Sequence, residues 1–126
     1  MDPISILMHS ETAGLNRERL AELYMELGQS GAEGVVCRAM EELSERLHRI
    51  GGECEPMNFN TIEKTARSMV GIADQIGMYS LANVAGHVQD AARQKNHAAV
   101  GGTVARLLRI GENSLTAIWD LQEMPL

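Results

Sequence analysis

Apolar residues recur along most of this 126-residue chain at steps of three and four, which is the spacing of an amphipathic helix. Because successive residues of an α-helix turn through about 100°, such residues share one face and the residues between them point the other way. No segment shows the strict alternation that a half-buried strand requires. The pattern therefore predicts an all-α protein. Its clearest apolar stripe consists of Phe59, Ile62, Ala66, Met69, Ala73 and Ile76.

Residues that favour helix ends divide the first half of the chain into two segments. Asn16 can cap a short helix that runs to about Leu27, and Gly28 stops it. The capping box Ser30-Gly31-Ala32-Glu33 then opens a long helix that ends at about Ile50. This half therefore predicts one short and one long helix.

Three further helices are predicted in the second half. Asn58 or Asn60 caps the first of them, which ends at Gly77, and Ser80 caps the next. The last runs over about residues 98–121. Interior glycines, each costing about 1 kcal/mol relative to alanine, are expected to make this helix less regular than its neighbours.

Four long amphipathic segments joined by short loops favour neighbours that run antiparallel. We therefore expect an antiparallel up-down-up-down four-helix bundle with a short additional N-terminal helix. Residues 1–14 are expected to form an N-terminal arm. Residues 15–126 are expected to form the bundle domain, because a chain of this length supports a single core.

The chain is acidic, which argues against one large class of partners. It carries 17 acidic and 11 basic side chains, for a formal net charge of −6. Residues 1–56 hold 11 of the acidic and 5 of the basic side chains, so the remaining residues hold 6 of each and are neutral. A general nucleic-acid binder needs a surplus of Lys and Arg to neutralise phosphates, so no nucleic-acid partner is expected.

The sequence gives no sign of a membrane, metal or cofactor site. No apolar run approaches about 18 residues, and no secretory leader pattern is evident. Cys37 and Cys54 make no disulfide framework, and the histidines and cysteines lack the short ligand spacings of a zinc site. We therefore expect a cytoplasmic protein with reduced thiols, with no membrane partner, metal or cofactor.

One helix carries a recognisable motif. It reads Ala66-Arg67-Ser68-Met69-Val70-Gly71-Ile72-Ala73-Asp74-Gln75-Ile76-Gly77, followed by Met78-Tyr79-Ser80-Leu81. This resembles the signature of histidine-containing phosphotransfer (HPt) domains, roughly Ala-His-Ser-Leu-Lys-Gly-Ser-Ala-x-x-Leu-Gly-x-x-x-Leu. The resemblance covers most of the chain, from about Leu15 to Leu121. Such domains are helical bundles that pass a phosphoryl group between receiver-domain aspartates on one exposed histidine.

Two of the four functional positions of the family motif differ in this chain. Arg67 occupies the position of the phosphorylated histidine and Val70 that of the lysine, whereas Gly71 and the helix-ending Gly77 are kept. Arginine stays protonated and offers no lone pair, so it cannot carry the phosphoryl group. The resemblance implies an HPt-like protein of a two-component phosphorelay, without phosphotransfer activity of its own, that binds response-regulator receiver domains or a hybrid kinase.

The resemblance and the helical spacing together define the expected receiver-binding residues as Lys64, Arg67, Val70, Gly71 and Asp74. The Arg67 guanidinium can bind a carboxylate or phosphate through two parallel hydrogen bonds. Gly71, one turn away, weakens the helix where alanine would be better, and close approach of a partner backbone would explain it. A glycine that is merely tolerated on an exposed face is the alternative.

Two other functions stay open. The first is an active phosphotransfer protein that uses another histidine, with His87 as the candidate, although its place between Gly86 and Val88 equally fits a surface histidine. The second is a helical self-association module with no phosphorelay role. In that case the stripe that includes Val70 packs against a second copy, which gives a homodimer.

Overall fold

The computed structural model describes residues 16–52, 54 and 56–123, with side chains through residue 117. Within this part of the chain there are four helical elements and no strand: α1 (Arg17–Gly52), α2 (Phe59–Gln75), α3 (Tyr79–Arg93) and α4 (His97–Glu123). The prediction of an all-α bundle is therefore confirmed. The predicted arm, residues 1–14, lies outside the described residues.

The four helices enclose one apolar core. Each packs mainly against its neighbours in chain order, and α4 also packs against α1, which closes the ring. The stripe predicted for α2 lies inside this ring, since Ile62, Ala66, Met69 and Ala73 are fully buried and Phe59 is half-buried. Helical periodicity alone thus located the inner side of α2.

The first element is interrupted at Gly28, where the helix was predicted to stop. Gly28 has φ 74° and ψ 172°, values outside the helical region, and its positive φ is one that glycine adopts without strain. Asn16 caps the start as predicted, because its Oδ1 accepts the backbone N–H of Arg19 at 2.9 Å. The predicted capping box after Gly28 does not form. Glu33 instead accepts a hydrogen bond from the Gln29 amide at 3.3 Å.

The apolar residues of the segment before Gly28 are unequally buried. Leu23 is buried, whereas Tyr24 and Leu27 are 39% and 47% exposed. Partial burial, with the nearby Glu33 carboxylate, raises the pKa of the Tyr24 hydroxyl above its ordinary value. The short segment before the break consequently leaves part of its apolar surface on the outside of the bundle.

A tight turn at Gly77 joins α2 to α3. Asn58, rather than Asn60, caps α2 by accepting the N–H of Thr61 at 3.2 Å. At the other end Met78 N–H donates to Ala73 O at 2.9 Å, and Gly77 N–H to Asp74 O at 3.2 Å, which is the Schellman pattern. Gly77 has φ 77°, so the predicted helix end is confirmed with its physical reason.

The prediction that Ser80 caps the next helix is wrong. Met78 is the N-cap residue of α3, and it makes no side-chain capping bond. The Schellman turn passes directly into α3, since Met78 O already accepts the N–H of Ala82 at 3.0 Å. Ser80 therefore lies inside the first turn.

A second turn of the same kind joins α3 to α4. Lys95 has φ 55°, and Asn96 N–H donates to Ala91 O at 3.1 Å. Asn96 Oδ1 then accepts the N–H of Ala99 at 3.0 Å, so α4 begins at His97 rather than one residue later. Interior glycines do not interrupt α4, which is helical throughout His97–Glu123.

Candidate functional site

The residues predicted to bind a receiver share α2. Lys64, Arg67, Gly71 and Asp74 are exposed, and we call these four residues the α2 outer face. At about 100° of turn per residue, these four positions fall on the side of α2 away from the buried stripe. The structure therefore places four of the five predicted residues together on one exposed surface.

Val70 is the exception, because it is partly buried and packs against the core. The reason is the position of α3. Glu63, two turns before Val70 on the same flank of α2, forms an ion pair with Arg93 of α3 at 3.3 Å. This flank therefore lies along the seam between α2 and α3, and the expectation that Val70 faces fully outward is wrong.

The opposite flank of α2 is held by α1. Arg46 Nε donates to Ser68 Oγ at 2.8 Å, and Arg46 Nη1 donates to the carbonyl of Glu42 at 3.2 Å. Arg46 is thus fixed on its own helix and reaches across to α2. Since one flank of α2 is tied to α1 and the other to α3, the rotation of the α2 outer face is set by the fold.

Gly71 lies in open space. A Cβ built on it would meet no heavy atom within 4 Å, and its φ is not in the left-handed region. Neither packing nor backbone conformation therefore requires glycine at this position. Glycine weakens the helix at this exposed position, and no contact among the described residues explains its presence.

His87 does not join the α2 outer face. It is exposed on α3, six residues before Arg93, and is therefore turned by about 120° from the edge of α3 that pairs with α2. His48 and His97 are also exposed, on α1 and at the start of α4. None of these histidines takes the place that the family motif gives to its phosphate carrier.

A groove between α1 and the end of α2 was not predicted from the sequence. It has a volume of about 480 Å³, and its lining includes Gly31, Gly34, Arg38, Glu42 and Gln75. Gly31 and Gly34 lack side chains and are spaced by three residues on one helix face, which is the sequence signal for this groove. The groove adjoins the Asp74 end of the α2 outer face through Gln75.

Comparison of the chain with protein-family models, with curated proteins and with solved structures gives no match. The described residues contain no group of three or more side chains able to hold a metal ion. None of the helices in the described part of the chain has the length and apolarity needed to cross a membrane.

Proposed function

We propose that this chain is an HPt-like protein of a two-component phosphorelay that binds response-regulator receiver domains, alone or within a hybrid kinase, without carrying phosphate. One observation carries the proposal. Arg67, at the position of the family's phosphohistidine, is exposed one turn from an unobstructed Gly71. In this proposal the α2 outer face is the docking surface and the protein acts in the cytoplasm.

The proposed architecture is an up-down-up-down antiparallel bundle with a short helix ahead of Gly28. The Glu63–Arg93 ion pair joins residues on either side of the Gly77 turn, as neighbouring antiparallel helices would. The short segment has its own contacts, since Asn16 N–H donates to Gly77 O at 2.7 Å and Arg19 Nε to Gln75 O at 2.9 Å. These bonds support a short first helix that covers the α2–α3 turn.

The chemistry available at Arg67 is binding rather than transfer. A phosphoryl carrier needs a nitrogen lone pair that attacks the aspartyl phosphate and then leaves, and a guanidinium has none to offer. The same guanidinium forms paired, charge-assisted hydrogen bonds with carboxylate or phosphate oxygens. Because α2 is held on both flanks, little backbone conformational entropy is lost when its outer face meets a partner.

The test is binding of purified receiver domains to the full chain, measured by titration calorimetry. We expect at least one receiver to bind, and Arg67→Ala to weaken that complex about tenfold, since a charged hydrogen bond contributes about 1.5–3 kcal/mol. Arg106→Ala is the matched control, because Arg106 is an exposed cation on α4, whose main neighbours are α3 and α1.

A complex that is equally weakened by both substitutions would show a general charge effect and contradict docking through Arg67. Absence of binding, combined with a dimeric mass in solution, would favour the self-association module instead.

A further inference from the structure

Two cations of the α2 outer face have no partner within the described part of the protein. Lys64 and Arg67 are one turn apart and exposed, and neither forms a hydrogen bond or ion pair with another described residue. Two other exposed arginines are paired, Arg49 with Glu45 and Arg93 with Glu63, whereas Arg106 and Arg109 of α4 are exposed and form no ion pair with a described residue. The α2 outer face thus carries two cations that form no ion pair, together with the acid Asp74, on a protein with a net charge of −6.

The acids nearest in sequence do not neutralise this pair. Glu63 is engaged with Arg93 across the α2–α3 seam at 3.3 Å. Asp74 follows Arg67 by seven residues, which places it about 10 Å further along the helix axis. Gly71 lies between them and adds no side chain. Lys64 and Arg67 therefore form no ion pair with a described acid, and the space above Gly71 is open.

We propose, building on the receiver-docking function above, that Lys64 and Arg67 make docking selective for receivers whose aspartate is phosphorylated. An unmodified carboxylate carries one negative charge, whereas a phosphoryl group carries about −1.5 to −2 and three strong acceptor oxygens. Two adjacent cations match the larger charge, and the Arg67 fork fits two phosphoryl oxygens at once.

No bond to phosphorus forms or breaks in this complex, because neither cation acts as a nucleophile toward the phosphate. The phosphoryl group stays on the receiver. The chain consequently sequesters the phosphorylated form and withdraws it from other partners, in proportion to the difference in affinity between the two forms. This is regulation by capture rather than by relay.

The experiment titrates each receiver domain that binds the chain, in magnesium buffer with and without beryllofluoride, a stable mimic of the aspartyl phosphate. We expect about tenfold tighter binding with beryllofluoride, the gain that one added charged hydrogen bond provides. Arg67→Ala should bring the two affinities together, and Lys64→Ala should reduce the difference in part. Arg106→Ala removes a positive charge from α4 and should leave the difference unchanged.

The possible failures are distinguishable. Equal affinity for both receiver states, tighter binding of the unmodified state, or a difference that survives Arg67→Ala overturns the selectivity while docking stands. Failure of every receiver to bind in either state overturns the docking function, and the selectivity with it. Circular dichroism of each variant shows whether its fold is intact, and Lys64→Gln with Arg67→Gln provides a second, helix-compatible test of the same charges.

Discussion

Arg67 stands on an exposed face where its surroundings constrain it little, so the side chain itself sets the chemistry at this position. A histidine there would be free to react, whereas a guanidinium can only bind. The two neighbouring motif positions, Gly71 and Val70, differ in how closely other residues surround them. Gly71 is unobstructed, while Val70 is partly buried at the seam with α3.

Restoring the family motif should restore chemistry. We expect the chain itself to acquire no label from a phosphorylated receiver, and Arg67→His combined with Val70→Lys to gain acid-labile phosphate, because imidazole supplies the missing lone pair. A lysine at position 70 can bury its stem at the α3 seam and extend its amine to water. Phosphate-affinity electrophoresis measures the label.

Label on the unaltered chain would contradict the proposed loss of transfer, and its disappearance in His87→Ala would assign the carrier to His87. A double variant that folds and binds a receiver yet takes up no phosphate would show that the α2 outer face is not a preserved HPt surface.

Gly71 gives a second prediction at this scale. Gly71→Ala should stabilise the protein by about 0.5–1 kcal/mol, since the added methyl group meets nothing within 4 Å and the helix gains in propensity. Gly71→Leu should also fold but weaken receiver binding by blocking close approach. Urea denaturation and calorimetry measure the two effects. Unchanged binding of Gly71→Leu would mean that this glycine is merely tolerated.

Between elements, a different glycine decides how closely two helices approach. Gly111 of α4 is buried, and a Cβ built there would lie 2.6 Å from Leu47 Cδ1 of α1. With Leu47 in its present conformation, a side chain at position 111 would therefore clash, and the glycine leaves room for Leu47. Gly102, on the same helix, is exposed and meets nothing within 4 Å.

These two glycines predict effects of opposite sign. Gly111→Ala should destabilise the protein by about 1–3 kcal/mol through overpacking, despite the better helix propensity of alanine. Gly102→Ala should stabilise it by about 1 kcal/mol, since only propensity changes. Equilibrium urea unfolding compares both variants with the parent chain. If Gly111→Ala also stabilises the protein, the contact between Leu47 of α1 and position 111 of α4 has room for a methyl group.

At the scale of the whole molecule, one core joins all four helices, so the protein should unfold in a single transition. Leu43, Met69 and Leu107 come from three different helices and are each 0% exposed. Replacing each by alanine should cost about 2–5 kcal/mol of unfolding free energy. Denaturant titrations followed by circular dichroism provide the measurement. Losses below about 0.5 kcal/mol at all three positions would contradict their burial, since surface substitutions fall in that range.

The sequence by itself determined the features that depend on local geometry. The buried stripe of α2 follows from about 100° of turn per residue, and the interruptions at Gly28 and Gly77 follow from a positive φ that other residues adopt only with strain. The exposure of Lys64, Arg67 and Asp74 follows from the same periodicity. Each of these features needs only the chain within one or two turns.

Only the tertiary structure decided the features that depend on a second helix. Val70 is partly buried because α3 lies along its flank, and a Cβ at Gly111 would clash with Leu47 of α1 as it stands. The groove beside Gln75 likewise exists only where α1 and α2 meet. A helical repeat fixes which residues share a face, but a neighbouring helix decides which edge of that face is covered, and that neighbour is distant in sequence.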